Sequence, residues 1–370
     1  MEKLPPPDGS GSMPPHDPGL RKLYELACAV FRVVEKTHHI QDIAQWNHLK
    51  GDNIMMFKDA VKNAMLGLVV GDALGVPVEF CSREELERNP VNGMRANGTH
   101  GQPAGTWSDD SSMALCLMES LTKGVDYADM MARFLRWADK GYMTAHGEVF
   151  DMGIATRQAL IRFAHGTSAL ECGGTGEYDN GNGSLMRILP VALYLHRTMG
   201  PDFPHMPEAY RIIHNASALT HAHPISLTAC GLYCAAVNEL LCGQTSVWGG
   251  IKAAKEFYRD QPEFAFHRNA FQRIEPDVLP SLPRSEIKSS GYVVHTLEAA
   301  LWHLERHDSF RGCLLEAVNL GEDTDTVGAV AGGLAGLKYG DIPEDWLSVI
   351  ARREEIADLC GAFSQTFEEG

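Results

Sequence analysis

The chain has 370 residues, is 44% hydrophobic and carries a formal net charge of −16. The apolar share is enough for a sizeable core, and an acidic balance without a Lys/Arg cluster argues against a nucleic-acid partner, since phosphates are bound through cationic excess. The nine cysteines show no paired metal-ligand spacing, and Cys116, Cys230, Cys234 and Cys313 sit in apolar stretches. That is the pattern of reduced, buried thiols in a reducing compartment.

In chain order, Met1 to Leu4 followed by Pro5, Pro6 and Pro7 offer neither a cationic start nor an apolar run. No signal peptide is expected, and the expected location is cytoplasmic. Residues 1–20, dense in proline and glycine, predict a mobile arm. In 21–50, Leu23, Leu26, Ala27, Val30, Val33 and Val34 recur at helical spacing and predict an amphipathic helix. Residues 1–55 thus read as an N-terminal extension to a main body over 56–365.

The most apolar run of that body, 64–78, is interrupted by Asp72 and shorter than the roughly 20 residues a membrane span needs, so no membrane is expected. Periodicity predicts helices over 57–75, 111–122, 126–139, 149–165, 184–198, 208–219, 224–242, 247–259, 292–306, 310–319 and 326–338. Gly/Asn-rich connections break them at 89–106 and 172–183, and 260–290, rich in proline and charge, reads as a surface loop or insertion. The expectation is all-α: one compact domain behind the extension.

Two acidic clusters carry the chemistry. Gly105-Thr106-Trp107-Ser108-Asp109-Asp110-Ser111 precedes a helical face of Ala114, Leu117, Met118 and Leu121. The acids fall at a helix start, where they also serve as ordinary caps. Gly321-Glu322-Asp323-Thr324-Asp325-Thr326 precedes a helix rich in Gly and Ala. Each interior glycine costs about 1 kcal/mol against alanine, so such a helix needs close packing in return, which would set its acidic start deep in the molecule. Ser108, Asp109, Asp110, Asp323, Asp325 and Thr326 are hard oxygen donors without an accompanying His or Cys, which points to Mg²⁺ or Mn²⁺ rather than zinc. Asp109 and Asp110 diverge on a helix and could serve two ions.

Weaker signals accompany them. Gly67, Gly71 and Gly75 bare one helical face, and Glu79 follows Pro77. In Tyr178-Asp179-Asn180-Gly181-Asn182-Gly183-Ser184, a Gly-Ser pair at a helix start would offer N–H groups to an anion such as a diphosphate. His221 and His223 lie near another helix start; a lone His is more often structural than catalytic.

The ordered runs GDALGVPVEF (71–80), GTWSDDS (105–111), DNGNGSLMR (179–187), THAHP (220–224), SGYVVHTLEAALW (290–302) and GEDTDTVGAVAGGLAG (321–336) resemble the ADP-ribosylglycohydrolase family over about 57–340. The resemblance implies an all-α orthogonal helical bundle with two divalent ions, Mg²⁺ first and Mn²⁺ as the alternative. It implies Ser108, Asp109, Asp110, Asp323, Asp325 and Thr326 as their ligands. Glu79 matches a glutamate beside the metals in some members, and Asp179 the general base of an arginine-specific bacterial branch. Asp110 is the other candidate base. Trp107, Asn182, Gly183, Ser184 and His221 would contact the ADP-ribose. Where members often have Gly-Gly-Asp, this chain has Gly321-Glu322-Asp323, an added acid beside the site.

The implied function is hydrolysis of mono-ADP-ribose from modified protein side chains, arginine first. Since some bacterial members are immunity proteins, a second reading is a binder that occludes an ADP-ribosyltransferase toxin through residues 1–50, with hydrolysis secondary. A two-metal phosphatase fits the motif order less well.

Overall fold

A computed structural model describes residues 57–367; the arm expected over 1–20 and the helix expected over 21–50 lie outside them. The described residues form α1 (57–75), which runs into a 3-10 turn at Val76–Val78, then α2 (Arg83–Arg88), α3 (Asp109–Leu121), α4 (Tyr127–Lys140) and α5 (Ile154–Ala164). These are followed by α6 (Leu189–Met199), α7 (Pro207–Ala218), α8 (Pro224–Leu241), α9 (Trp248–Arg259), α10 (Val293–Arg306), α11 (Phe310–Val318), α12 (Thr324–Lys338), α13 (Glu344–Leu347) and α14 (Arg353–Gln365). No strand occurs among the described residues, only isolated bridges. The all-α expectation holds.

The glycines explain the centre of the bundle. A Cβ on Gly71 would lie 2.0 Å from the Gly328 carbonyl oxygen, and one on Gly67 2.3 Å from that of Gly332. The reverse additions are as tight: 2.3 Å from Gly328 to the Gly71 oxygen and 2.1 Å from Gly332 to that of Gly67. Helices α1 and α12 therefore pack antiparallel, backbone against backbone, with no room for side chains in the seam. This contact offsets the helix propensity lost at each glycine. α12 also packs against α3, α8, α10 and α11, and its residues 324–336 are buried. Phe57–Val78 and Pro224–Leu241 are long and apolar enough to cross a membrane, but 89% and 78% of their most apolar windows are buried inside the bundle. They are core helices. Cys116, Cys230, Cys234 and Cys313 are free and buried, and burial pushes their thiols up.

Several expectations are corrected. The 260–290 stretch lies at the surface as expected, but it is anchored to the body rather than loose. It winds through 3-10 turns at Pro262–Phe271, Leu279–Ser281 and Arg284–Glu286, and Phe264, Phe271, Ile274, Leu279 and Ile287 are buried. Its turns pack on α8, α9 and α10. The helices expected from 149 and 184 start later, at Ile154 and Leu189, so 149–153 and 182–188 are shaped loops. α14, which packs on α3, was not expected at all, although Ile356, Cys360 and Phe363 mark its buried face at helical spacing.

Candidate active site

Three helix ends converge. The seam brings the C-terminal end of α1 against the start of α12: a Cβ on Gly75 would lie 2.3 Å from both Cα and N of Asp325. Asp72 on α1 points to the start of α3. Its buried carboxylate accepts the backbone N–H of Ser108 and of Ser111, each at 3.0 Å, and the Ser111 hydroxyl at 2.5 Å. Asp72 thus caps α3 from a neighbouring helix, satisfying donors that a helix start leaves free. Burial outweighs these hydrogen bonds and pushes its carboxyl up to about 6.

The remaining acids face one another. Ser108 Oγ donates to Asp110 Oδ2 at 3.0 Å, and Thr326 Oγ1 reaches the same oxygen at 3.5 Å. Asp110 Oδ1 is buried with no hydrogen-bond partner. Carboxylate oxygens of Glu79, Asp323 and Asp325 lie within 4.8 Å of one another. Burial first, and neighbouring carboxylates with it, hold Asp109, Asp110 and Asp325 well above the usual carboxylate range; burial also raises Asp323. Glu79 is pushed up to about 9 by burial and by Asp151, Asp323, Asp109 and Asp72.

Such a group is costly as bare anions, since unpaired buried charge costs several kcal/mol per ion, of the order of magnitude expected for desolvation. Among the described residues no lysine or arginine forms an ion pair with these acids. The orphan Asp110 oxygen, the crowded carboxylates and the hard-oxygen donor set fit divalent cations of the Mg²⁺ and Mn²⁺ kind. Ser108, Asp109, Asp110, Asp323, Asp325 and Thr326, with Glu79 at the edge, are the residues that could hold them.

Two flanks border this cluster. On one, Asn182 Nδ2 donates to Asp323 Oδ2 at 2.8 Å and to Thr296 Oγ1 at 2.9 Å, and Asn182 N donates to Gly291 O at 3.1 Å. The Gly181–Gly183 turn lies over His221, whose ring is held by Thr220 Oγ1 on Nδ1 at 2.7 Å. Burial, and Arg187 beside it, push His221 down to about 3, so it is a neutral imidazole. Arg187 is buried beneath the turn. It donates to Gly183 O (2.5 Å), Thr220 Oγ1 (2.8 Å) and Ala216 O (3.1 Å). On the other flank, His100 pairs with Glu79, and the two form a further cluster with Asp151, again within 4.8 Å.

The ADP-ribosylglycohydrolase family model matches residues 55–370. The chain belongs to that family. It is 34% identical to the ADP-ribosylarginine hydrolase Tri1 of Serratia proteamaculans, over 81% of this chain and 78% of the relative. It is also 34% identical to the ADP-ribosyl-[dinitrogen reductase] glycohydrolase of Rhodospirillum rubrum, over 80% and 92%. A solved ADP-ribosylglycohydrolase-related protein complex superposes with a TM-score of 0.66 at 34% identity, covering 84% of this chain and 98% of that one.

Within this glycohydrolase fold, the expected residues divide. Ser108, Asp109, Asp110, Asp323, Asp325, Thr326 and Glu79 come together, and Asn182 and His221 border them. Asn182 touches the cluster through Asp323, a role more specific than the cradle expected of it. Trp107 and Asp179 make their hydrogen bonds elsewhere. Trp107 is buried, donates from its indole N–H to Met143 O at 3.4 Å and lines a separate cavity with Arg352 and Ile356 of the α14 side. Asp179 lies in a surface turn, where its carboxylate accepts the Gly176 N–H at 2.7 Å. The Ser184 hydroxyl accepts from Ser217 Oγ at 2.8 Å inside the core, and Gly183-Ser184 precede the α6 start by several residues, so they open no helix there. Glu322 is exposed; the backbone there pairs with Phe80 and Cys81 at a φ of +62°, so the added acid stays out of the cluster.

Three residues at the site were not singled out from the sequence. Asp72 was visible as a charge in an apolar helix, a signal read only as a break in hydrophobicity. His100 sits in a Gly/Asn-rich connection without periodicity and Asp151 in a stretch whose periodicity predicts a helix from 149, so nothing but the fold brings them to Glu79.

Proposed function

We propose that this chain hydrolyses the bond between ADP-ribose and a modified arginine side chain, using divalent cations, Mg²⁺ or Mn²⁺, held by the buried acids. The observation that carries the reading is the convergence of Asp109, Asp110, Asp323 and Asp325 at two helix starts with Asp110 Oδ1 unpartnered. Its similarity to arginine-linked hydrolases supports the linkage.

When bound, the cations supply positive charge that offsets the carboxylates and orients the hydroxyls of the distal ribose. The chain's own groups do the rest. Asp72 holds Ser108 and Ser111, and through them the pitch of α3, so that Asp109 and Asp110 face the ribose. Asn182 orients Asp323. The Gly181–Gly183 turn is backed by neutral His221 and by buried Arg187, whose charge would favour the diphosphate on that side. A carboxylate of the cluster, Asp110 with its unpartnered Oδ1 or half-buried Asp151 beside Glu79, would accept a proton from an attacking water.

The test is hydrolysis of defined arginine-linked and serine-linked ADP-ribosyl peptides, with Mg²⁺ and with excess chelator. Arginine-linked peptides should be cleaved faster and chelation should abolish turnover. Faster serine release, or full activity after metal removal, would contradict the reading. A second role rests on residues 1–54 falling outside the family match: binding of an ADP-ribosyltransferase toxin through residues 1–50. Unchanged binding by a folded protein lacking 1–50 would remove it.

A further inference from the structure

A second feature adjoins the acid cluster at Asp151. Between α4, the 149–153 loop and α5 lies a cavity of about 440 Å³ whose lining includes Leu135, Asp139, Phe150, Asp151, Arg157 and Ile161. Asp151 belongs both to this lining and to the group with Glu79 and His100, and the Phe150 ring lies 5.1 Å from that of His100. Asp151 therefore joins the cavity to the acid cluster.

The two flanks differ in charge. Behind the Gly181–Gly183 turn stands the buried cation Arg187 with no acid hydrogen-bonded to it. In the cavity, two acids, Asp139 and Asp151, face one cation, Arg157, which is exposed on α5. An ADP-ribosylated arginine is polarised in the same sense: a diphosphate anion on one side of the scissile bond, a guanidinium on the other. Complementary charge favours a ligand whose two ends differ in this way. The walls agree, since Leu135, Phe150 and Ile161 offer apolar surface to the methylenes of a long cationic side chain, whose head remains polar.

We infer that this cavity receives the protein side of the scissile bond, namely the arginine side chain and its flanking residues, with Asp151 at the guanidinium end and Asp139 selecting positive charge beyond it. The inference rests on the hydrolase reading above. It makes the α4–α5 cavity a determinant of which modified proteins are accepted, separate from the residues that hold ADP-ribose. The cavity exceeds what a guanidinium alone requires, so it has room for neighbouring residues of the target.

Asp139 and Ile161 are exposed, so Asp139→Lys and Ile161→Trp alter the cavity without opening the core. Each would be assayed on two substrates: an arginine peptide carrying ADP-ribose, and ADP-ribosylguanidine, which lacks the side chain and the peptide. Asp139→Lys should raise KM for the peptide about tenfold with kcat little changed, the signature of lost uniform binding. Ile161→Trp, which narrows the cavity, should move KM for the peptide in the same direction. In both variants the shift for ADP-ribosylguanidine should be much smaller. Equal shifts on both substrates would place the cavity on the ADP-ribose side, and no shift on either would remove it from the substrate path; both overturn the inference. Failure of the unmodified protein to cleave either substrate would instead overturn the hydrolase reading, and this inference with it.

Discussion

The starts of α3 and α12 present the same kind of acid to the same centre, yet they are held by opposite means. α3 is fixed by a charge: the Asp72 carboxylate takes the N–H groups of Ser108 and Ser111. α12 has no side-chain cap and is fixed by the absence of side chains, with Gly75 pressed on the Asp325 backbone and Thr324 Oγ1 donating to Gly75 O at 2.9 Å. Both anchors come from α1. One helix therefore sets the spacing between Asp109–Asp110 and Asp323–Asp325, through a hydrogen bond on one side and a steric seam on the other.

The steric anchor should be the less forgiving. Gly75→Ala would drive a Cβ into backbone that cannot rotate away. The expected cost is about 3 kcal/mol of stability, as for an overpacked core. Displacement of Asp325 should lower kcat/KM on the order of 100-fold, as for an ångström-scale misplacement. A thermal melt with steady-state kinetics checks both; a variant of native stability and activity would show that the seam does not position α12.

The charged anchor should yield by degrees. Asp72→Asn keeps one acceptor but turns an N–H₂ group toward donors. The expected destabilisation is about 2 kcal/mol, the scale for a buried donor left unsatisfied. Activity should fall less than in Gly75→Ala. Amide hydrogen exchange localised to the first turn of α3 would separate this from a general loosening.

The contrast also explains what was legible beforehand. Glycines every fourth residue in α1 and their counterparts in α12 predicted close packing and a deep acidic start, because spacing alone determines a bare helical face. The acid pairs were legible for the same reason: they sit at helix starts. Asp72 was not read as a site residue, since its meaning depends on α3 arriving from elsewhere in the chain. His100 had no periodic signal, and Asp151 lies in a stretch whose periodicity predicts a helix where the chain forms a loop. The anchoring of the surface segment 260–290 was not legible, because 3-10 turns bury Phe264, Phe271 and Ile274 without a helical or alternating period. The Asn182–Ser184 loop was taken for a helix start because glycine and serine suit one, whereas α6 begins only at Leu189, with Pro190 in its first turn.

A smaller effect tests the loop that leads into α12. Glu322 is exposed at a φ of +62°, in the left-handed region that glycine occupies without strain. Glu322→Gly should leave hydrolysis intact and raise stability by up to about 1 kcal/mol. A marked loss of activity would mean that its carboxylate, rather than its backbone, serves the site.

Whether the buried acids bind cations is decided by metal-linked melting. Protein stripped by chelation would be melted with and without Mg²⁺ or Mn²⁺ across a pH series. Because the folded carboxyls are raised, to about 6 at Asp72 and about 9 at Glu79, the metal-free fold has their full contribution below the unfolded carboxylate range and loses it as pH rises. A cation that displaces those protons should stabilise more at higher pH. A metal-dependent rise in Tm should grow from about pH 5 to about pH 8 and be lost in Asp110→Asn and Asp325→Asn. Identical melting with and without metal at every pH, in a protein confirmed to be metal-free, would contradict cation binding by these acids.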